Sequence, residues 1–196
     1  MQKENPAGRE EQRSFELYDW VNSMISAALL VTLLFTFCVR LMGVDGASMV
    51  PTLYNKDRLV VVDSCWCRYR QGDIVIARKN SFSDEPIVKR VIAVGGQTVD
   101  IDFAAGIVYV DGEPLEEDYV NDLTYLAEGT QLPLTLGEDE YFLMGDNRNH
   151  SSDSRLPQIG PVDRQYLIGK AVFLLFPGKT EGTQQRDFSR IGSLHR

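Results

Sequence analysis

The chain opens polar, turns apolar over one unbroken stretch, and then settles into short alternating runs. Between Asp19 and Arg40 there is no charged residue, and positions 20–39 read WVNSMISAALLVTLLFTFCV. Twenty helical residues at about 1.5 Å each span roughly 30 Å, the thickness of a bilayer's hydrocarbon core. Tyr18 and Trp20 at one end suit an interfacial aromatic anchor. The pattern therefore predicts one transmembrane helix over residues 20–40, preceded by a short cytoplasmic tail, residues 1–19, of which 1–17 are disordered or frayed. A cleaved leader fits worse, because Val44-Asp45-Gly46 is a poor cleavage site. A buried core helix fits worse too, because the run is so long and uniformly apolar.

After residue 41 the period changes. RLVVVDS (58–64), DIVIAR (73–78), GIVYVDG (106–112), YFLMGD (141–146) and KAVFLLFP (170–177) are short β-branched or aromatic runs bounded by Gly and Asp. PIVKRVIAVGGQTVDID (86–102) is a longer run, interrupted by Gly95-Gly96 at a bend or bulge. No segment holds a helical period over a dozen residues. The reading is a mainly β protein: an antiparallel, folded or barrel-like β domain over residues 41–196, preceded by the one transmembrane helix. The tail from Gly178 reads as polar and irregular.

Composition narrows the function classes. The net charge is −8, with both signs interleaved along the soluble part and no basic stripe, which argues against nucleic acid. Three cysteines are too few for a disulfide framework. Cys65-Trp66-Cys67 has no second ligand pair for zinc, so no metal is expected. On a strand those two cysteines would share one face. Cys38 lies in the apolar run as a packing residue. Two basic residues before the span (Arg9, Arg13) and one after it (Arg40) lean toward a cytoplasmic N-terminus and an extracytoplasmic β domain.

The candidate chemistry begins with Ser48, in GASMVPTL just past the apolar run. A serine nucleophile needs a base. His195 sits one residue from the end of a polar tail, and His150 sits in a turn-rich loop with no obvious acidic partner. Lysine serves if its ammonium is desolvated, since burial lowers the ordinary value of about 10.4 by several units. Lys89 stands among Ile87, Val88, Val91 and Ile92, and strand alternation puts Lys89 and Arg90 on opposite faces, so one of the two points inward. By spacing alone, both also read as ordinary edge-strand charges.

Four separated motifs, in order after the apolar run, resemble the bacterial type I signal peptidases, membrane-bound Ser-Lys proteases. GASMVPTL resembles the nucleophile box and GDIVIA (72–77) the second strand motif. KRVIAVGGQTV (89–99) resembles the general-base strand, and MGDNRNHSSDSR (144–155), with IGPV after it, the last box. The resemblance covers about residues 20–178 and implies Ser48 as nucleophile and Lys89 as base. It also implies that the Ser151 hydroxyl helps orient the lysine, and that Asp153 and Arg155 support the site. Asp146 and Arg148 read as turn formers. Where some members carry a Ser or Thr hydroxyl for the oxyanion hole, this chain has Gly46. The Ser48 N–H must then supply more of that stabilisation.

By the same resemblance the chain is an endopeptidase that removes signal peptides from exported pre-proteins after Ala-x-Ala-like ends, through an acyl-enzyme and without a cofactor. Its substrate would add to strand edges, with shallow pockets formed by Val44, Gly46, Met49, Leu53, Ile87 and Val88. Its partners would be secretory pre-proteins, the lipid bilayer and the secretion translocon. Two other readings compete. A self-cleaving repressor-type protease shares the fold and dyad but is soluble, which the uncharged span opposes. A membrane-tethered binding module, or an inactive relative, has no need of both Ser48 and Lys89.

Overall fold

The structure, a computed structural model, describes residues 6–79, 85–180 and 185–194. It divides into two compact units, residues 1–39 and 40–196.

The first unit is one helix, α1 (Pro6–Phe37). Proline is well tolerated at a first helical position, where its missing N–H would have no partner anyway. Residues 6–17 are thus helical rather than frayed. Within α1, Glu16–Phe37 is long and apolar enough to cross a bilayer. The helix closes with Cys38 N–H donating to the Leu34 carbonyl. The expected boundary at residue 40 moves back to Phe37, because the β-branched Val39 and the residues after it enter the first strand, β1 (Val39–Gly43).

The second unit is built from β1 and eleven further strands. These are β2 (Arg58–Asp63), β3 (Ile74–Ala77), β4 (Ile87–Ala93), β5 (Thr98–Asp102), β6 (Ile107–Val110), β7 (Glu113–Pro114), β8 (Leu134–Thr135), β9 (Glu140–Met144), β10 (Val162–Asp163), β11 (Leu167–Phe176) and β12 (Gly192–Ser193). The larger sheet runs β1-β2-β11-β3-β4-β9-β10, with β12 on β11; the smaller runs β7-β6-β5-β8. Every pairing from β2 onward is antiparallel. The mainly β, antiparallel expectation holds, with a folded sheet whose path ends at β1 and β10 rather than a closed barrel.

Gly95-Gly96 is where the chain leaves the larger sheet at Ala93 and enters the smaller one at Thr98. Residues 185–194, polar as they are, make specific contacts with the sheet unit. Arg190 reaches the fully buried Asp57 at 2.7 Å, and Leu194 N–H donates to the Val172 carbonyl. Cys65 lies on a single 3-10 turn, Ser64–Trp66, not on a strand. Cys67 follows it, its thiol donating to the Asp63 carbonyl at 3.0 Å, and all three cysteines are free. His195 lies outside the described residues.

Candidate active site

Ser48 is presented by a turn between β1 and β2. Leu53 N–H donates to the Met49 carbonyl at 2.8 Å, forming one helical turn. Met49 and Leu53, four residues apart, share one side of it and are fully buried among Val44, Leu59, Val61 and Ile74. With those two driven inward by burial, the turn has a fixed seat, and Ser48 remains half-buried. Met49 and Leu53 accordingly form the floor of the core and do not line the groove, contrary to the sequence expectation for pocket residues.

Lys89 comes from β4. Its Nζ donates to Ser48 Oγ at 2.8 Å and to the Val88 carbonyl at 3.0 Å, and the residue is only 3% exposed. Burial is the main reason its pKa is lowered from 10.5 to about 8, against the opposing pull of Asp153, Asp146 and Glu128. At pH 7 roughly a tenth of such a lysine is neutral, compared with about 0.03% of an unperturbed one. Strand alternation predicts one of Lys89 and Arg90 inside; both are buried. Arg90, on the other face, makes a two-pronged pair with Asp146 (Nε–Oδ1 2.8 Å, Nη2–Oδ2 2.6 Å) and stacks on Tyr119 at 3.9 Å. Asp146 therefore does more than shape a turn: it ties the loop after β9 to the strand that carries Lys89.

That loop, residues 145–155, clasps the serine turn. Asn147 N–H donates to the Ser48 carbonyl at 3.0 Å, and its side-chain amide donates to the Ala47 carbonyl at 3.1 Å. Gly145 is where the two segments touch: a Cβ there would lie 2.2 Å from Ser151 Oγ and 2.4 Å from the Ser48 carbonyl. Only glycine permits that approach. Asp153 and Arg155 form a second buried two-pronged pair (Nε–Oδ1 and Nη2–Oδ2, both 2.8 Å). Asp153 also accepts from Gly145 N–H, and Arg155 donates to the Arg148 carbonyl at 2.6 Å. Arg148, a turn former by sequence, is itself buried and pairs with Glu117 while bonding Thr124.

Ser151 is buried beside Gly145, but its hydroxyl has no hydrogen-bond partner among the described residues. The Ser151–Lys89 bond that the resemblance implies is not formed here. Gly46 adopts φ +95°, a conformation few other residues take up, and a side chain there would enter open space. Backbone geometry thus accounts for glycine at a position where a hydroxyl was an alternative. The Ser48 N–H makes no hydrogen bond among the described residues.

Beside this cluster lies an open groove of about 320 Å³. Val44, Gly46, Ile87 and Val88 line it together with Ser48 and Lys89, and so do Asp45, Glu85, His150 and Ser152. The roles of Asn147, Gly145 and Tyr119 escape the sequence. The first two lie in the GDN of the last box, where a turn-forming reading absorbs them. Tyr119 has no signal at all.

A family model described as signal peptidase, peptidase S26, matches residues 17–176. The chain belongs to that family. Signal peptidase I of Bacillus licheniformis is 33% identical over 170 residues, covering 82% of this chain and 89% of the relative. Signal peptidase I P of Bacillus subtilis subsp. natto is 30% identical, covering 86% and 94%; the probable signal peptidase I-1 of Synechocystis is 35% identical, covering 81% and 83%. A crystal structure of a signal peptidase I from Enterococcus faecalis aligns at 28% identity and a TM-score of 0.44, over 53% of this chain and 97% of that one. This signal peptidase is a serine endopeptidase, a hydrolase that removes signal peptides. Its N-terminal apolar helix fits association with a membrane.

Proposed function

We propose that this signal peptidase cleaves exported pre-proteins with Ser48 as nucleophile and Lys89 as general base, through an acyl-enzyme. The observation that carries the reading is the 2.8 Å contact between Lys89 Nζ and Ser48 Oγ in the lining of an open groove, with the lysine buried. Neutral Lys89 takes the Ser48 proton as Oγ attacks the scissile carbonyl. The resulting ammonium then protonates the leaving amine, and water, activated by the same lysine, releases the acyl group. The Ser48 N–H is available to the developing oxyanion. Ser151 turns its hydroxyl toward Lys89 once the groove is filled, and the Asp153–Arg155 pair holds the loop beneath it.

The substrate binds extended. β9 pairs with β4 only at Arg90, Val91 and Ala93, whereas β3 pairs with it from Ile87. Ile87–Lys89 therefore have β3 on one side and the groove on the other, which supports strand addition by the pre-protein. Side chains at the groove floor meet Val44, Ile87 and Val88, a shallow apolar surface that suits the small residues of Ala-x-Ala-like ends. The helix anchors the enzyme in the bilayer, with residues 1–19 at the cytoplasmic end and residues 41–196 outside, where pre-proteins leave the secretion translocon. Confinement to that plane raises the effective concentration of substrate.

The test is cleavage of a pre-protein in detergent by the full chain, Ser48→Ala and Lys89→Ala. Wild type is expected to cut after the Ala-x-Ala end, and both variants to give no product above background. Product from either variant rules out this dyad.

A further inference from the structure

The buried ionic groups of the catalytic unit fall into pairs, with one exception. Arg90 meets Asp146, Arg148 meets Glu117, Arg155 meets Asp153, Asp57 meets Arg190, Asp63 meets Arg40 and Asp73 meets Lys170. Among the described residues Lys89 is the buried charged side chain that makes no ion pair. One acidic side chain in the same region is also left over. Glu128, its side chain 12% exposed, has an Oε2 atom that is buried and accepts no hydrogen bond among the described residues. Its one ionic contact there is Arg155 Nε at 3.7 Å, and that guanidinium is already engaged at 2.8 Å by both oxygens of Asp153.

Glu128 is held where it is. The loop that carries it is fastened to the last catalytic box on both sides: Tyr125 N–H donates to Asn149 Oδ1 and Arg155 Nη1 to the Leu126 carbonyl. Beyond Glu128, Thr130 N–H donates to the Arg155 carbonyl at 2.8 Å, and the Thr130 hydroxyl donates to the Ser154 carbonyl at 2.9 Å. A carboxylate oxygen buried without a hydrogen bond and fixed so firmly costs stability, and such groups gather at functional sites.

We propose that Glu128 is a positioning residue that supplies the counter-charge to Lys89 during catalysis. The inference rests on Lys89 being the base. The charges that act on Lys89 are those of Asp153, Asp146, Glu128 and Arg155, with the Ser48 hydroxyl on Nζ; those that act on Glu128 are Asp153, Arg155, whose Nε lies 3.7 Å away, and Lys89. Asp146 is matched by Arg90 and Asp153 by Arg155. With Lys89 neutral and Glu128 ionised, the cluster carries one surplus negative charge. When Lys89 takes the Ser48 proton, that surplus is cancelled. Glu128 thus favours the ammonium that forms in the transition state and, by the same interaction, keeps burial from lowering the lysine's pKa further. Burial and Asp153 in turn push the Glu128 carboxyl above its usual range, while Arg155 and Lys89 oppose that rise.

The test compares pH profiles of kcat/KM for pre-protein cleavage in wild type, Glu128→Gln and, as an exposed control, Glu116→Gln. Removing the carboxylate should move the rising limb of the profile down by about one pH unit and lower the high-pH plateau by roughly three- to tenfold. Glu116→Gln should leave both unchanged. Should Glu128→Gln fold poorly, Glu128→Leu removes the charge together with the unsatisfied Oε2, and the same shift of the midpoint is expected. A midpoint that stays in place, whatever the loss of rate, overturns the proposal and leaves Glu128 a structural residue. Activity that survives in Lys89→Ala would instead overturn the dyad, so the two failures are distinguishable.

Discussion

Lys89 is a residue on which function and stability pull in opposite directions. Its pKa is about 8 folded and 10.5 unfolded, so the unfolded chain binds the proton more tightly. Below about pH 8 the full penalty of burying an ammonium weighs on the fold. The penalty shrinks between pH 8 and 10.5 and is gone above that, so stability from this group rises with pH across the window. A shift of that size corresponds to about 3 kcal/mol. Lys89→Met, similar in volume and uncharged, should therefore abolish cleavage yet unfold at higher denaturant than wild type at pH 7. The gain should vanish near pH 10.5. Equal midpoints at pH 7, measured by urea unfolding in detergent, would mean that Lys89 is not under a desolvation penalty.

At the scale of elements, the site is two turns held by one close contact. The turn with Ser48 is fixed by Met49 and Leu53 beneath it, and the loop after β9 grips its backbone through Asn147. Gly145 is the point of contact. Gly145→Ala must displace Ser151 or the Ser48 carbonyl, and should cost about 1–3 kcal/mol together with a large fall in kcat. Wild-type stability and rate in that variant would show that the two segments can part at no cost. The longer strands are legible in the sequence, because β-branched runs and Gly/Asp punctuation report local geometry directly. β7, β8, β10 and β12 are not: two residues carry no period. The candidate pair Ser48 and Lys89 is nominated by motif resemblance, since spacing cannot reveal that positions forty-one apart come within 2.8 Å. Met49 and Leu53 read as groove residues because an apolar side chain suits a pocket and a core equally well. Tyr119 and Glu128 lie in polar stretches whose burial depends on long-range folding alone.

On the scale of the whole molecule, the chain joins a helix long and apolar enough to cross a bilayer to a β-rich unit. The proposed topology can be read from one side chain. Cys65 is exposed, whereas Cys38 and Cys67 are partly buried. In a Cys38→Ser, Cys67→Ser background, a membrane-impermeant maleimide should label Cys65 in intact cells. Labelling only after lysis would put the catalytic unit on the cytoplasmic side. In the proposed mechanism, cleavage turns on a lysine that is neutral enough to accept a proton from Ser48. The most direct measurement is the pH dependence of kcat/KM for pre-protein cleavage by the full chain. A single rising limb with its midpoint near pH 8 is expected, while a profile flat from about pH 6 to 10 would contradict Lys89 as the titrating base.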